Sequence, residues 1–270
     1  MKSKITGGST TLLFTAKVLN KHDIKYYQCS ETGFIQTEEP YWLEEAYSSA
    51  ITKLDIGLVS RNEGLREIVI PILNHYFDPN AQFLDYAGGY GIFTRQMRDK
   101  GFNFYHTDIH CKNLFAEYFE QSDLPADSTF EAITAFEVFE HLPDPVGTFK
   151  IMTSYSDTII LSTVLQPATP LKSVDDWWYF IPETGQHVAL FTAKALEHIG
   201  NQFGYNFYTD GHGVHLFTKK KLTGNPFQKK RDPFLIRKMR KMVRKYDLTQ
   251  NPERETLLQK DWTVIKNKLK

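Results

Sequence analysis

Two cysteines in 270 residues, Cys29 and Cys111, leave no basis for a disulfide framework. They lie far apart, a pattern suited to a reducing compartment, so a cytoplasmic location is expected. The chain also lacks any run near the roughly 20 apolar residues of a membrane-spanning helix. Its opening, MKSKITGGSTTLLFTAKVLNKHD, has early lysines but only a broken apolar stretch, too short and too polar for a signal sequence. No internal repeat or low-complexity tract is visible. Net charge is missing too, since 32 Lys and Arg balance 32 Asp and Glu. That balance conceals an asymmetry. Residues 219–270 hold 17 Lys and Arg against 5 acids, leaving 15 against 27 in residues 1–218.

What is present is core-forming material. A chain 41% hydrophobic and 14% aromatic can bury a substantial interior and is not a disordered polypeptide. Its length fits one large domain with appendages or two small ones. Residues 22–39 read as a small β-rich entry segment. PYWLEEAYSSAI then shows helical spacing, with Pro40 suited to a first turn, and NEGLREIVIPILNHYF is a second amphipathic stretch with Pro71 as a point of kinking. From Gln82 onward strand-like and helix-like runs alternate. FLDY, FNFYHTD, TFEAITAFE and DTIILST are rich in β-branched and aromatic residues, and helices are expected over 91–100, 111–121, 145–155 and along TAKALEHIGNQFG. Such alternation predicts a largely parallel sheet covered on both faces. The last two strands, YNFYTD and VHLFTKK, are joined by a short Gly211-His-Gly213 turn and must be antiparallel.

Three motifs carry the chemistry. In FLDYAGGYGIF an apolar strand ends in Asp85 and runs through Tyr86, Ala87, Gly88, Gly89 and Gly91 into a helix. Glycine there permits φ > 0 and lets a ligand approach the backbone, so the unit reads as half of a nucleotide-binding βαβ. Nicotinamide, flavin and S-adenosylmethionine (SAM) sites all use such a turn. The second motif is Asp108, 23 residues after Asp85 at the end of FNFYHTD, where a carboxylate can accept ribose hydroxyls. The third is FEVFEHLPDP, which closes one strand and opens the following helix.

LDYAGGYG, YHTD and TAFEVFEHLPDP, in that order, resemble the class I SAM-dependent methyltransferases over roughly residues 60–218. The nearest branch carries an E-V-x-E-H-L-x-D-P segment and includes sugar C-methyltransferases. The resemblance implies a Rossmann-like α/β fold with a seven-stranded sheet, mostly parallel with the last strand antiparallel. A helical N-terminal segment and a basic helical C-terminal tail are expected around it. The corresponding division is 1–58 as a substrate-side accessory segment, 59–221 as the methyltransferase domain and 222–270 as the tail. The resemblance further implies SAM as cofactor, held by Asp85, Tyr86, Ala87, Gly88, Gly89 and Gly91 at the turn. Asp108 would take the ribose, Asp123 and Leu124 the adenine side, and Glu137 would complete the site. Ala87 stands where the family usually has its first glycine, and no strand is evident between Asp108 and Thr129.

For chemistry beyond binding, the candidates are His187 and His141, as groups able to take a proton near neutral pH. His187 lies in WWYFIPETGQH, whose Trp178, Tyr179 and Gln186 are the expected substrate contacts. The segment is similar to the E-H-x-x-Y-F-S stretch of sugar C-methyltransferases, which implies a sugar or glycan precursor as acceptor. Glu137, Glu140 and His141 look like a partial metal site of the kind small-RNA 2′-O-methyltransferases use. No second histidine lies nearby in sequence to complete it, so no metal is expected. Cys29 sits where some relatives carry half of a zinc ribbon, but Thr32 replaces the second cysteine.

In the tail, Leu235, Ile236, Met239, Met242, Val243 and Tyr246 share one helical face amid basic residues. That face suits peripheral contact with an anionic membrane, or packing on its own domain. Three readings stand at this point. The first is a methyltransferase for a small molecule, with nucleic acid not expected as a partner. The second is a metal-assisted RNA 2′-O-methyltransferase. The third is a non-catalytic SAM- or nucleotide-binding module acting through its tail.

Overall fold

The computed structural model describes residues 1–48, 54–228 and 254–269. Two sheets organise them. The larger has six strands: β4 (Gln82–Tyr86), β5 (Asn103–Thr107), β6 (Ala132–Phe136), β7 (Thr158–Ser162), β9 (Asn206–Thr209) and β10 (Val214–Thr218), in the order β5-β4-β6-β7-β10-β9. β4, β5, β6 and β7 run parallel, whereas β10 is antiparallel to both β7 and β9. The strands AITAF, TIILS and VHLFT are buried almost throughout, as central strands covered on both faces must be. β5 and β9 at the edges are only half-buried.

The pleat sends neighbouring residues into two separate cores. Leu84, Ile133, Ile159, Leu161 and Phe217 face one core, packed against Phe149 and Met152 of α4 (Pro145–Thr153) and Leu196 and Ile199 of α5 (Ala193–Gln202). Phe83, Ala132, Ile160 and Leu216 face the other, under Val69 and Leu73 of α2 (Leu58–Tyr76) and Phe93 and Met97 of α3 (Ile92–Asp99). Pro71 is accommodated inside α2 without dividing it. The alternating order read from the sequence is therefore the order of the layers.

Three expectations need correction. The N-terminal segment is not mainly helical. β1 (Thr10–Val18), β2 (His22–Cys29), β3 (Ile35–Thr37) and the two-residue β8 (Ala189–Leu190) make a second, antiparallel sheet in the order β1-β2-β3-β8, and α1 (Leu43–Ala46) is a single turn. β1 escapes a simple alternation test because its pairing slips between Leu12 and Phe14, which breaks the period-two pattern. The large sheet has six strands rather than seven. Finally, residues 111–121 are not helical. Asp108 and Asn113 side chains capture the N–H groups of His110, Cys111 and Ala116, giving the backbone a local alternative to a helix. The expected amphipathic helix at 235–246 lies outside the described residues.

The chain's last helix, α6 (Leu258–Lys268), returns to the domain. Its Asp261 is buried against α3 and accepts two 2.7 Å hydrogen bonds from Arg98, whose Nε and second terminal nitrogen form a fork. Arg98 also donates to the Phe104 carbonyl and lies over the Phe119 ring at 3.7 Å. A buried guanidinium that loses its carboxylate is left without compensation. Asp261→Ala should therefore cost about 3–5 kcal/mol, seen as a lower urea midpoint at unchanged slope. A loss below about 1 kcal/mol would mean that the pair behaves as a surface ion pair.

Candidate functional site

The glycine turn is built around a buried acid. Asp85 at the end of β4 accepts hydrogen bonds of 2.9 Å from Thr94 of α3 and 2.9 Å from Thr134 of β6. Burial pushes its carboxyl above the ordinary value, and the charge of His106 works in the opposite sense. Asp85 thus lies under the turn and shapes it. Gly88 passes directly over this carboxylate, where a Cβ would collide with it and with His106. Ala87, Gly89 and Gly91 all adopt left-handed backbone, with φ of 53°, 58° and 82°. Ala87 thus holds a backbone conformation that glycine adopts most readily. Gly91 caps α3, and its missing Cβ leaves room for the Asn113 side chain.

Asp108 is tied to this turn. Its Oδ2 accepts from the Gly89 amide at 2.9 Å, and its Oδ1 accepts from the amides of His110 and Cys111. A carboxylate offers about four acceptor positions, so capacity remains for a ligand. Beside it opens a cavity of about 590 Å³, lined by Asp108, Cys111, Asn113, Glu120, Leu124 and neighbouring residues. Asp123 does not line the cavity. Its carboxylate accepts from the Glu120 amide and pairs with Lys268 of α6. Asn113 and Glu120, hydrogen-bonded to each other at 2.9 Å, are lining residues that sequence reasoning missed. The polar CKN run after Asp108 was the available signal, but it was absorbed into an expected helix.

A second group of side chains gathers beyond the end of β6. Glu137, also left-handed at φ 53°, accepts 2.6 Å from the Ser162 hydroxyl and lies 3.8 Å from Arg61, which α2 supplies. Arg61 is itself forked onto Asp55. Glu140 is fully buried and accepts 2.6 Å from the Tyr179 hydroxyl through Oε1, while Oε2 has no hydrogen-bond partner. Burial pushes the Glu137 carboxyl to about 7, aided by the charge of Glu140, and burial does the same to Glu140.

His141 and His187 lie edge to face with ring centres 4.9 Å apart. His141 Nδ1 is 3.2 Å from the Gln186 carbonyl, and His187 Nδ1 is 2.6 Å from the Tyr179 carbonyl. A carbonyl accepts only, so both rings donate from Nδ1 and keep the Nε2 lone pair. Burial lowers His141 to about 4; burial and the neighbouring His141 lower His187 to about 3. The two histidines expected from sequence are therefore brought together with Glu140. The expected substrate contacts take other places. Tyr179 and Gln186 are buried, the former holding Glu140 and the latter donating to the Ala46 carbonyl, whereas Trp178 is 69% exposed. Arg61 and Ser162 were not foreseen, since neither lies in a motif.

A family model described as a methyltransferase domain matches residues 61–209. No curated protein sequence matches at a comparable level. Among solved structures, the chain is similar to CalO1, a methyltransferase in calicheamicin biosynthesis in its SAH-bound form. The identity is 10% and the TM-score 0.44, over 67% of this chain and 60% of that one. It is also similar to an O-methyltransferase family 2 protein from Planctomyces limnophilus in complex with apigenin, at 13% identity and TM-score 0.41, over 54% and 52%. A third is magnesium protoporphyrin IX methyltransferase (ChlM) from Synechocystis with bound SAH, at 12% identity and TM-score 0.43, over 66% and 94%. The chain thus spans under two thirds of the first two, and these likenesses are too loose to transfer a substrate.

The turn makes its own prediction. Gly91→Ala places a side chain at φ 82° and against Asn113, whereas Gly211→Ala meets a similar φ of 80° with open space around it. Left-handed backbone alone costs about 1–2 kcal/mol. Gly91→Ala should exceed Gly211→Ala by about 1 kcal/mol or more in chemical denaturation. Equal losses would show that Asn113 yields freely.

Proposed function

The chain belongs to the methyltransferase domain family, and from that premise we propose that it transfers a methyl group from SAM to a small-molecule acceptor. The observation that carries this reading is the Gly89 amide bonded to Asp108 beside a cavity of about 590 Å³. Turn, acid and cavity fit the three parts of the cofactor. Gly88 and Gly91 leave the backbone open where a Cβ would close it. The N-terminus of α3, which has no side-chain cap, favours the methionine carboxylate. Asp108 has acceptor capacity left for ribose hydroxyls, and Leu124 offers an apolar contact to the adenine.

SAM, when bound, supplies a methyl group already activated by a sulfonium. The protein's task is then alignment of an acceptor atom and removal of its proton. The side chains placed for this are Glu140, His141 and His187, at the carboxyl ends of the strands where a parallel sheet holds its ligands. His187 presents an unprotonated Nε2, and the carbonyl of Tyr179 fixes that tautomer. Its segment supports a hydroxyl-bearing acceptor such as a sugar or glycan precursor. The domain limits 59–221 go with this reading, with residues 1–58 and the segment from 222 onward flanking the reactive part.

Two measurements test the assignment. Asp108→Ala should weaken SAM binding by about 1.5–3 kcal/mol, the range for hydrogen bonds to a charged group. Unchanged calorimetric affinity, or tight NADH binding by the wild type, would refute the cofactor. His187→Ala should lower turnover by about 10²–10⁴-fold with nearly unchanged SAM affinity, followed with methyl-labelled SAM and an acceptor found by metabolite profiling. Turnover within a few fold of wild type would remove His187 from the mechanism.

A further inference from the structure

Glu140, His141 and His187 offer three ligand atoms that all lie within 4.8 Å of one another. We infer that these three side chains form a binding site for a divalent transition-metal ion beside the methyl-transfer centre. The inference deepens the reading above and rests on it for the ion's place in catalysis, though not for its binding.

Four observations converge. Both imidazoles give Nδ1 to backbone carbonyls, from Gln186 and Tyr179, which leaves Nε2 as the ligand nitrogen and fixes each ring. Outer contacts of this kind are what orient metal-bound histidines. Glu140 has one oxygen held by Tyr179, while its buried Oε2 makes no hydrogen bond of good geometry, with only the Thr163 hydroxyl acting on this carboxyl from nearby, and so keeps lone pairs for an ion. Acids also outnumber cations here: Asp55 and Glu137 both pair with Arg61, and no salt bridge reaches Glu140 among the described residues. Lastly, Glu137 is occupied by Ser162 and Arg61, so the ligand set is one carboxylate with two imidazoles rather than a pair of carboxylates with one.

Two nitrogens and an oxygen suit Zn²⁺, Co²⁺, Mn²⁺ or Fe²⁺ better than Mg²⁺ or Ca²⁺, which prefer all-oxygen sites. Ligand bonds of about 2.0–2.2 Å set donor atoms about 3–4 Å apart, so side-chain shifts of about an ångström would close the site. Three protein ligands leave coordination positions for an acceptor oxygen. With an ion bound, the Nε2 lone pair of His187 serves as a ligand and not as the base of the metal-free reading, so loss of turnover in His187→Ala is expected on either account. An acceptor bearing a hydroxyl or similar oxygen ligand is the class such a site would hold.

The test uses the full chain, stripped with chelator and titrated with Co²⁺, whose d–d absorption reports nitrogen and oxygen ligation. One equivalent per chain is expected, with a rise in melting temperature. His141→Gln and His187→Gln should each weaken binding at least tenfold, whereas Asp108→Ala should bind Co²⁺ normally while losing SAM affinity. That last variant separates failure of the metal site from failure of the cofactor reading. Substoichiometric Co²⁺ without a d–d band, or binding unchanged in both histidine variants, would overturn the inference. If a variant fails to fold, the wild-type titration decides alone, together with nitrogen hyperfine coupling from bound Mn²⁺ or Cu²⁺.

Discussion

The buried carboxylate of Asp85 is the constraint on which the site depends. A carboxylate out of water is costly unless it is bonded, and the fold meets that cost with one hydroxyl from α3 and one from β6. β4, α3 and β6 are thereby fixed to one carboxyl group, with β5 lying between α3 and β6 in the chain. Gly88 must lie over it without a Cβ, and the chain can then turn only through left-handed residues on either side. Gly89 arrives with its amide toward Asp108 and its carbonyl toward His106. The cofactor cradle is thus a consequence of how one acid is buried.

The cluster of Glu140, His141 and His187 has a different origin. β8 pairs with β3, so the N-terminal sheet extends across the segment that carries His187. Thr37 donates to the carbonyl of Val188, and Trp42 donates to the carbonyl of Gly185. Residues 1–48 thereby brace the loop that brings His187 to His141. Without that sheet the loop would have few backbone partners, and the edge-to-face contact of the two rings would have little to hold it. The meeting of His141 and His187 therefore depends on the N-terminal sheet as much as on the central one.

The C-terminal helix contributes from the opposite edge. Asp261 neutralises Arg98, and Lys268 reaches Asp123 on the surface of the loop before β6. The first contact is buried and structural; the second is half-exposed and worth little by itself. The tail is basic by charge count, yet it is anchored by an acid, Asp261, as well as by Arg254, which donates to the Gly101 carbonyl.

Sequence alone determined the layered α/β order, the glycine turn, Asp108 and the E-x-x-E-H segment, because each depends on local periodicity or on backbone geometry at neighbouring residues. The strand periods and the φ requirements of Gly89 and Gly91 are short-range, so they can be read one window at a time. Tertiary structure decided the rest. The slipped pairing in β1 hid a strand, and side-chain capture by Asp108 and Asn113 dissolved a helix that the pattern of 111–121 suggested. The partner of Arg98 lies 163 residues away. His187 meets His141 only because strand β7 and the loop after it fold back over the end of β6. The sequence places those histidines 46 positions apart, and no spacing rule connects them; burial and backbone hydrogen bonds do.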